Sequence, residues 1–280
     1  MNAYRTVTSR QNPLVKEICA LSDKKRRREA SAFRFDGRKL FEEAINCNIS
    51  LLFVVLREDA VKDLDHLCGK AISHALVESE NIIIVTEEVF DKISEEKSPE
   101  GVICVARMPR ELHSDLSPKG LSESLLSTER ILIAESLRDP GNLGTVIRSC
   151  SALGIDRLII TDDCADLYAP RTVRAAMGAL FKQKIVCVKR SELALAIEGL
   201  RASGRKIYAT ALHREALTIG SFELCAGDAF VIGNEGHGLS EETVNACDAC
   251  AIIPMSEGAE SLNAAAAAAI CIWETVRKAK

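Results

Sequence analysis

The stretch that most constrains this chain lies between residues 229 and 263. Phe230-Val231-Ile232 runs directly into Gly233-Asn234-Glu235-Gly236-His237-Gly238-Leu239. Ile252-Ile253-Pro254-Met255 comes next, then Ser261-Leu262-Asn263 and an alanine-rich segment. Short apolar runs bounded by Gly and Pro are the pattern of strands buried on both faces, as in a parallel sheet. Ligands of open α/β sheets bind at the loops leaving the carboxyl ends of such strands. The spacing therefore predicts that loops from this stretch and its surroundings converge on one site.

The same alternation extends upstream. It predicts strands at 131–134, 157–160, 184–188 and 206–210, and helices at 142–153, 170–180, 191–202 and 259–278. Strand and helix alternate throughout, so the sheet is expected to be largely parallel. The first third repeats the theme on a smaller scale. A helical stretch over 1–50 is followed by strands at 51–56, 82–85 and 102–106 and helices at 61–76 and 87–93. Residues 109–128 are richer in Ser, Pro and Gly. The reading is an α/β chain in three parts: a small α/β domain at 1–108, a linker at 109–129 and a second α/β domain at 130–280.

Composition narrows the class. A chain of 280 residues with 47% hydrophobic and 27% charged residues is globular and has room for two domains. Its longest apolar run, Ala264–Trp273, is too short to span a bilayer, so no membrane role is expected. Eleven cysteines without framework spacing, and no secretory signal, give the expectation of a reduced cytoplasm. Cys247-Asp248-Ala249-Cys250 is a single CxxC with no second pair or nearby histidines, so buried thiols are expected there and no metal.

Net charge is only −4, yet residues 1–39 carry eleven Lys or Arg against four Asp or Glu. Lys24-Lys25-Arg26-Arg27-Arg28 is followed by Arg34, Arg38 and Lys39, with Phe33 and Phe35 interleaved. Two readings stand. The run can be a solvated helix face with the aromatics in a core. It can equally be a phosphate-contacting patch in which rings stack on bases.

Two loops carry candidate chemistry. Asp139-Pro140-Gly141-Asn142-Leu143-Gly144 leaves a strand and opens a helix, with Arg148 a turn and a half further on. A helix N-terminus favours anions, but the dinucleotide fingerprint and the Walker loop are both absent. Arg148 has a bland alternative as a surface ion-pair partner. In the second loop, the glycines around Asn234 imply unusual backbone angles or close approach to a ligand. Glu235 suits a substrate hydrogen bond or a helix cap, and His237 reads as a surface residue. No nucleophilic triad or metal-ligand set emerges.

Taken together, the motifs resemble a known family. Asn142-x-Gly144-x-x-x-Arg148 with Gly154, Gly233-Asn234-Glu235-x-x-Gly238, and Ile253-Pro254-Met255 with Ser261-Leu262-Asn263 look like the three ordered motifs of the SpoU/TrmH family. These are RNA 2′-O-ribose methyltransferases of the SPOUT superfamily. The segments Ala165–Pro170 and Val173–Ala179 resemble its ribosomal-RNA branch. Ser9-Arg10-Gln11-Asn12-Pro13 with Phe35-Asp36-Gly37 is similar to the RNA-binding domain that often precedes the catalytic one.

The resemblance implies a SPOUT-type parallel sheet with a deep trefoil knot, S-adenosyl-L-methionine as cofactor, and a homodimer acting on RNA. Arg148 and Asn142 match the catalytic arginine and its accompanying asparagine, and Glu235, Ser261 and Asn263 would complete the active site. Thr210, Ala211, Leu212, Gly233, Asn234, Gly238, Ile253, Met255 and Leu262 would hold the cofactor. Lys24, Lys25, Arg26, Arg27, Arg28, Arg34, Arg38 and Arg174 would face RNA. Cys150 stands where the family often has alanine, and both residues are small.

The resemblance thus implies methylation of ribosomal RNA. Transfer RNA is the alternative substrate. A binding factor without turnover is disfavoured by the presence of Arg148, Asn142 and Asn263, and a Rossmann-type small-molecule enzyme by the missing fingerprint.

Overall fold

The computed structural model describes residues 4–212, 215–234, 236–256 and 261–277. The chain divides into two compact units, Met1–Pro109 with Tyr168–Phe181 and Arg110–Leu167 with Lys182–Lys280.

The first unit opens with β1 (Arg5–Val7), α1 (Pro13–Ala20), α2 (Lys24–Ala30), β2 (Ala32–Asp36), α3 (Arg38–Asn46) and β3 (Leu51–Arg57). It continues with α4 (Val61–Ser73), β4 (Ile82–Val85), α5 (Glu87–Ile93) and β5 (Val102–Arg107). Its sheet has the order β1-β4-β3-β5-β2, with β5 antiparallel to both neighbours and the other pairings parallel. Helix α1 starts as its sequence predicts: Pro13 occupies the first turn, and the Asn12 side chain accepts from the Leu14 amide at 2.9 Å.

The all-helical expectation for residues 1–50 is corrected by β1 and β2. Ser31 adopts φ 49°, ends α2, and turns the chain into β2. In β2 the Arg34 side chain between the two phenylalanines is itself buried, so the polar alternation that marks a half-buried strand is missing.

The expected linker is also corrected. Residues within 109–129 form β6 (His113–Asp115) and α6 (Pro118–Ser124), both in the second unit. Strand β6 pairs in parallel with the strand Lys184–Val188, and Leu121 of α6 is buried in the core. Sequence obscured this because β6 is a three-residue polar edge strand.

The chain then forms β7 (Ile131–Ala134), α7 (Pro140–Leu153) and β8 (Arg157–Thr161). Next come α8 (Pro170–Ala176), which belongs to the first unit, and β9 (Lys184–Val188), α9 (Leu193–Ala202) and β10 (Ile207–Thr210). The remaining elements are β11 (Leu217–Thr218), β12 (Ala229–Ile232), α10 (Glu241–Ala246), β13 (Ala249–Ile252) and α11 (Ala264–Arg277). The second sheet runs β11-β13-β10-β12-β7-β8-β9-β6, and every pairing in it is parallel. Its central strands β7 and β12 are buried at every position, as apolar runs covered on both faces must be. No helix among the described residues is long and apolar enough to cross a membrane.

In the first unit, Tyr168 and Phe181 close an aromatic cluster with Phe33 and Phe35. Ring centroids lie 4.8 Å apart for Phe33–Tyr168 and 5.1 Å for Phe35–Phe181. A large buried aromatic removed from such a cluster costs about 3–5 kcal/mol. Phe181→Ala is therefore expected to accelerate hydrogen exchange across β2 and β5 and to lower the unfolding midpoint. Unchanged protection in Ala32–Asp36 would count against this packing role.

Candidate active site

A cavity of about 920 Å³ opens in the second unit at the carboxyl ends of three adjacent strands, β13, β10 and β12. Thr210, Ala211 and Leu212 line it from the end of β10; Gly233, Asn234 and Gly238 from the loop after β12; Ile253 and Met255 from the loop after β13; Ser261 and Leu262 from the approach to α11. The volume lies within the usual range for small-molecule sites. Strand β13 ends at Ile252, so the apolar Ile253-Pro254-Met255 belongs to the loop.

The loop after β12 is built around Asn234. Its Oδ1 accepts from the amides of Gly236 at 2.8 Å and His237 at 3.2 Å, and its backbone exchanges two 3.0 Å hydrogen bonds with Gly238. Gly238 takes φ 68° to close this turn. Gly233 is required for a different reason. A Cβ placed there would lie 2.4 Å from the Gly238 carbonyl carbon and 2.6 Å from the Leu239 nitrogen, so only glycine lets the strand end pass this close to the returning loop.

The motif segments meet at a hydrogen bond. Asn263 Nδ2 donates to Asn142 Oδ1 at 2.9 Å, while Asn263 Oδ1 caps α11 by accepting from the Ala265 amide at 3.0 Å and the Ala266 amide at 3.2 Å. Asn142 lies in the first turn of α7, where its amide donates to the capping Asp139 carboxylate at 2.8 Å. Helix α11 packs along α7. Neither Asn142, Asn263 nor Arg148 lines the cavity. Arg148 is exposed on α7 and makes no hydrogen bond or ion pair among the described residues. Glu235 lies outside the described residues.

The polar groups behind this loop lie outside the sequence motifs. Asn234 Nδ2 donates to the Ser136 carbonyl at 2.8 Å, and the Ser136 hydroxyl donates to Asp163 at 2.6 Å. Burial pushes the Asp163 carboxyl up, but the hydrogen bonds from Ser136 and Thr161 outweigh it and hold the group below its ordinary value. Their signal was faint: Glu135-Ser136 and Asp162-Asp163 follow apolar strands, as many turn residues do.

The basic set divides. Arg27 is only 3% exposed and donates through Nη1 to the carbonyls of Leu21 and Ser22, both at 2.7 Å. Arg34 is 4% exposed, bonded to the Ile93 carbonyl and paired with Glu95. Both are corrected from RNA contacts to internal braces: a buried guanidinium is costly without partners, and these carbonyls and the carboxylate take up its terminal Nη donors. Phe33 and Phe35 are likewise core residues. Lys24, Lys25, Arg26 and Arg28 project from the exposed side of α2, with Arg26 3.1 Å from Glu29. Arg38 pairs with Glu42 at 3.1 Å and Arg174 with Glu96. Cys247 is buried and Cys250 half-buried, and all eleven thiols are free. Among the described residues no group of three or more His, Cys, Asp or Glu could hold a metal ion.

Comparison with known proteins adds to this geometry. Residues 129–273 match the model of the SpoU rRNA Methylase family. The chain belongs to that family. Its residues 12–104 match the MRM3-like substrate binding domain. The SpoU match contains the Asn142, Gly233 and Asn263 segments in one span. The 23S rRNA (guanosine(2553)-2′-O)-methyltransferase RlmP of Bacillus subtilis is 30% identical over 96% of this chain and 98% of its own length. The 23S rRNA (uridine(2479)-2′-O)-methyltransferase of Streptomyces viridochromogenes is 28% identical over 99% of this chain and 93% of its own. Among solved structures, the AdoMet-bound rRNA methyltransferase from Sinorhizobium meliloti is 28% identical, covers 98% of both chains and superposes with a TM-score of 0.82.

Gly233→Ala gives the direct check of the loop geometry in this SpoU family member. The added methyl meets backbone rather than a movable side chain, so the loop has to shift. The expected result is a loss of about 1–3 kcal/mol, read as a lowered unfolding midpoint, with changed amide shifts at Gly236–Gly238.

Proposed function

We propose that this protein is an S-adenosyl-L-methionine-dependent 2′-O-ribose methyltransferase of ribosomal RNA. The observation that carries the reading is the Asn142–Asn263 hydrogen bond beside the cavity: it ties the helix bearing Arg148, which has no partner among the described residues, to the segment that lines the cavity through Ser261 and Leu262. The names of the B. subtilis and S. viridochromogenes relatives support 23S ribosomal RNA as the substrate class. The lining suits the cofactor. Main-chain groups around Gly233, Ile253 and Leu262 offer hydrogen bonds to a flat base, and Leu212, Met255 and Leu262 offer apolar surface. The S. meliloti structure named as AdoMet-bound supports the same choice.

Bound there, the cofactor supplies a methyl on a sulfonium, already a good leaving group. The chain's own task is then alignment of a ribose hydroxyl and disposal of its proton. Arg148 is a poor base, because a guanidinium offers five donors and no acceptor. Its exposed positive charge instead stabilises the developing ribose oxyanion and orients a neighbouring RNA phosphate, which takes the proton. Asn142 and Asn263 hold each other and set where α7 meets the cavity. Glu235 and Ser261 shape the ribose side, and Thr210, Ala211, Gly233, Asn234, Gly238 and Ile253 hold the cofactor.

In this reading the first unit binds RNA. Lys24, Lys25, Arg26, Arg28, Arg38 and Arg174 are the contacts. The exposed pairs of Lys25 and Arg26 with Glu29 are of the kind worth less than about 1 kcal/mol and yield to a phosphate. The segment from β12 to α11 forms the deep trefoil knot, a reading supported by family membership and by β13 lying beyond β10 while α11 returns to α7. A homodimer is supported by Ile270 and Trp273, exposed large apolar residues one turn apart on α11. A cytoplasmic location is supported by the eleven free cysteines.

The test is methyl transfer from labelled S-adenosyl-L-methionine to large-subunit, small-subunit and transfer RNA, with Arg148→Ala in parallel. Label on large-subunit RNA is expected, with the rate falling at least about tenfold, or 1.4 kcal/mol, in the variant. Label on transfer RNA alone would move the substrate assignment, and an undiminished Arg148→Ala rate would remove Arg148 from the chemistry.

A further inference from the structure

The loop after β12 is held at both ends by one dipeptide, Glu135-Ser136, at the carboxyl end of the neighbouring strand β7. At one end, Asn234 Nδ2 donates to the Ser136 carbonyl at 2.8 Å. At the other, the amide of Ser240, which caps α10 by accepting from Thr243, reaches Glu135 Oε2 at 3.4 Å. Glu135 is almost fully buried, and its other oxygen meets Arg190 Nε at 2.6 Å. Arg190 in turn donates its amide to Asp162 Oδ1 at 2.8 Å.

Ser136 occupies an uncommon conformation, φ 55° without being glycine. Such a backbone persists where its surroundings over-determine it. Here its amide donates to Thr161 Oγ1 at 2.8 Å and its hydroxyl to Asp163 Oδ2 at 2.6 Å, while the Thr161 hydroxyl donates to Asp163 Oδ1 at 2.7 Å. One carboxylate therefore holds the Ser136 hydroxyl directly and the Ser136 amide through Thr161, and the Ser136 carbonyl is left to accept from Asn234. The four strands that supply these groups, β12, β7, β8 and β9, are adjacent in the sheet.

We infer that Asp163, acting through Ser136, and Glu135, braced by Arg190, are positioning residues that hold the Asn234–Ser240 loop in its ligand-binding shape. None of the four belongs to the three motif segments. Asp163 touches neither the cavity nor Asn234, so its influence passes through the Ser136 carbonyl. For cofactor binding the inference rests on the methyltransferase reading. For the shape of the loop it does not.

Asp163→Ala in the full-length protein tests it, with Asp163→Asn as the conservative partner. Two quantities are read where both variants remain folded: exchange rates of the Gly236, His237 and Gly238 amides, which Asn234 holds, and the dissociation constant for S-adenosyl-L-methionine by calorimetry. Charge-assisted hydrogen bonds of this kind lead us to expect roughly tenfold faster exchange and roughly tenfold weaker binding in Asp163→Ala. Asp163→Asn, which keeps one acceptor oxygen, is expected to fall between that variant and wild type, with the KM for RNA unmoved. Exchange and affinity both within about twofold of wild type would overturn the inference. Should Asp163→Ala not fold, Asp163→Asn decides by the same two readouts. Wild-type protein that fails to bind the cofactor would instead sink the methyltransferase reading, and the exchange rates would still decide the loop.

Discussion

Parallel pairing of the second sheet is the constraint from which the site follows. Parallel strands all present their carboxyl ends at the same edge, so the loops after β10, β12 and β13 are brought side by side by hydrogen-bond register alone. That arrangement is stable only if the strands are covered on both faces, which the buried runs of β7, β8 and β12 satisfy. It also leaves many backbone polar groups at one edge. The chain uses some of them: the cavity is lined largely by small or apolar residues, and the Asn234 side chain binds the Gly236 and His237 amides of its own loop and the Ser136 carbonyl at the end of β7.

What was readable in the sequence tracks how local its cause is. Buried parallel strands have a local cause, continuous apolar runs, and 131–134, 184–188 and the helix 87–93 fall where the pattern put them. The motif loops were readable because Gly233 and Gly238 answer to backbone geometry within a few residues of themselves. Strand β2 was hidden because its polar residue, Arg34, is paid for by Glu95 and the Ile93 carbonyl, some 60 residues away. Strand β6 was hidden because a three-residue edge needs only β9 to exist. The placement of Tyr168–Phe181 in the first unit depends on Phe33 and Phe35, more than 130 residues earlier. Asp163 and Glu135 belong to the same class, since what they do is defined by partners on other strands.

Arginine illustrates the limits of counting charge. Arg27, Arg34 and Arg205 are all buried and donate to main-chain carbonyls, Arg205 to those of Glu129 at 2.8 Å and Gly227 at 2.6 Å. A planar guanidinium with five donors can close several loop carbonyls at once, which lysine cannot. The basic excess of residues 1–39 therefore includes groups spent on the fold, and the remaining exposed ones form a smaller surface than the count suggests. Arg148 is the contrasting case: exposed, with no partner among the described residues, on a helix fixed by Asn142.

That contrast bears on how such a site would do its chemistry. A buried acid or base would need a desolvated pocket to tune it, and among the described residues the ionisable ones lining the cavity, His237, Glu241 and Cys250, are exposed or only half-buried. A transfer from a good leaving group does not call for such tuning, because most of the barrier can be lowered by holding the reactants in line. Holding reactants in line demands a rigid loop, and rigidity in a glycine-rich loop has to come from outside it. The polar groups at the ends of β7, β8 and β9 supply that rigidity: they anchor Asn234 and Ser240 while leaving the glycines between them free to pack closely against a ligand.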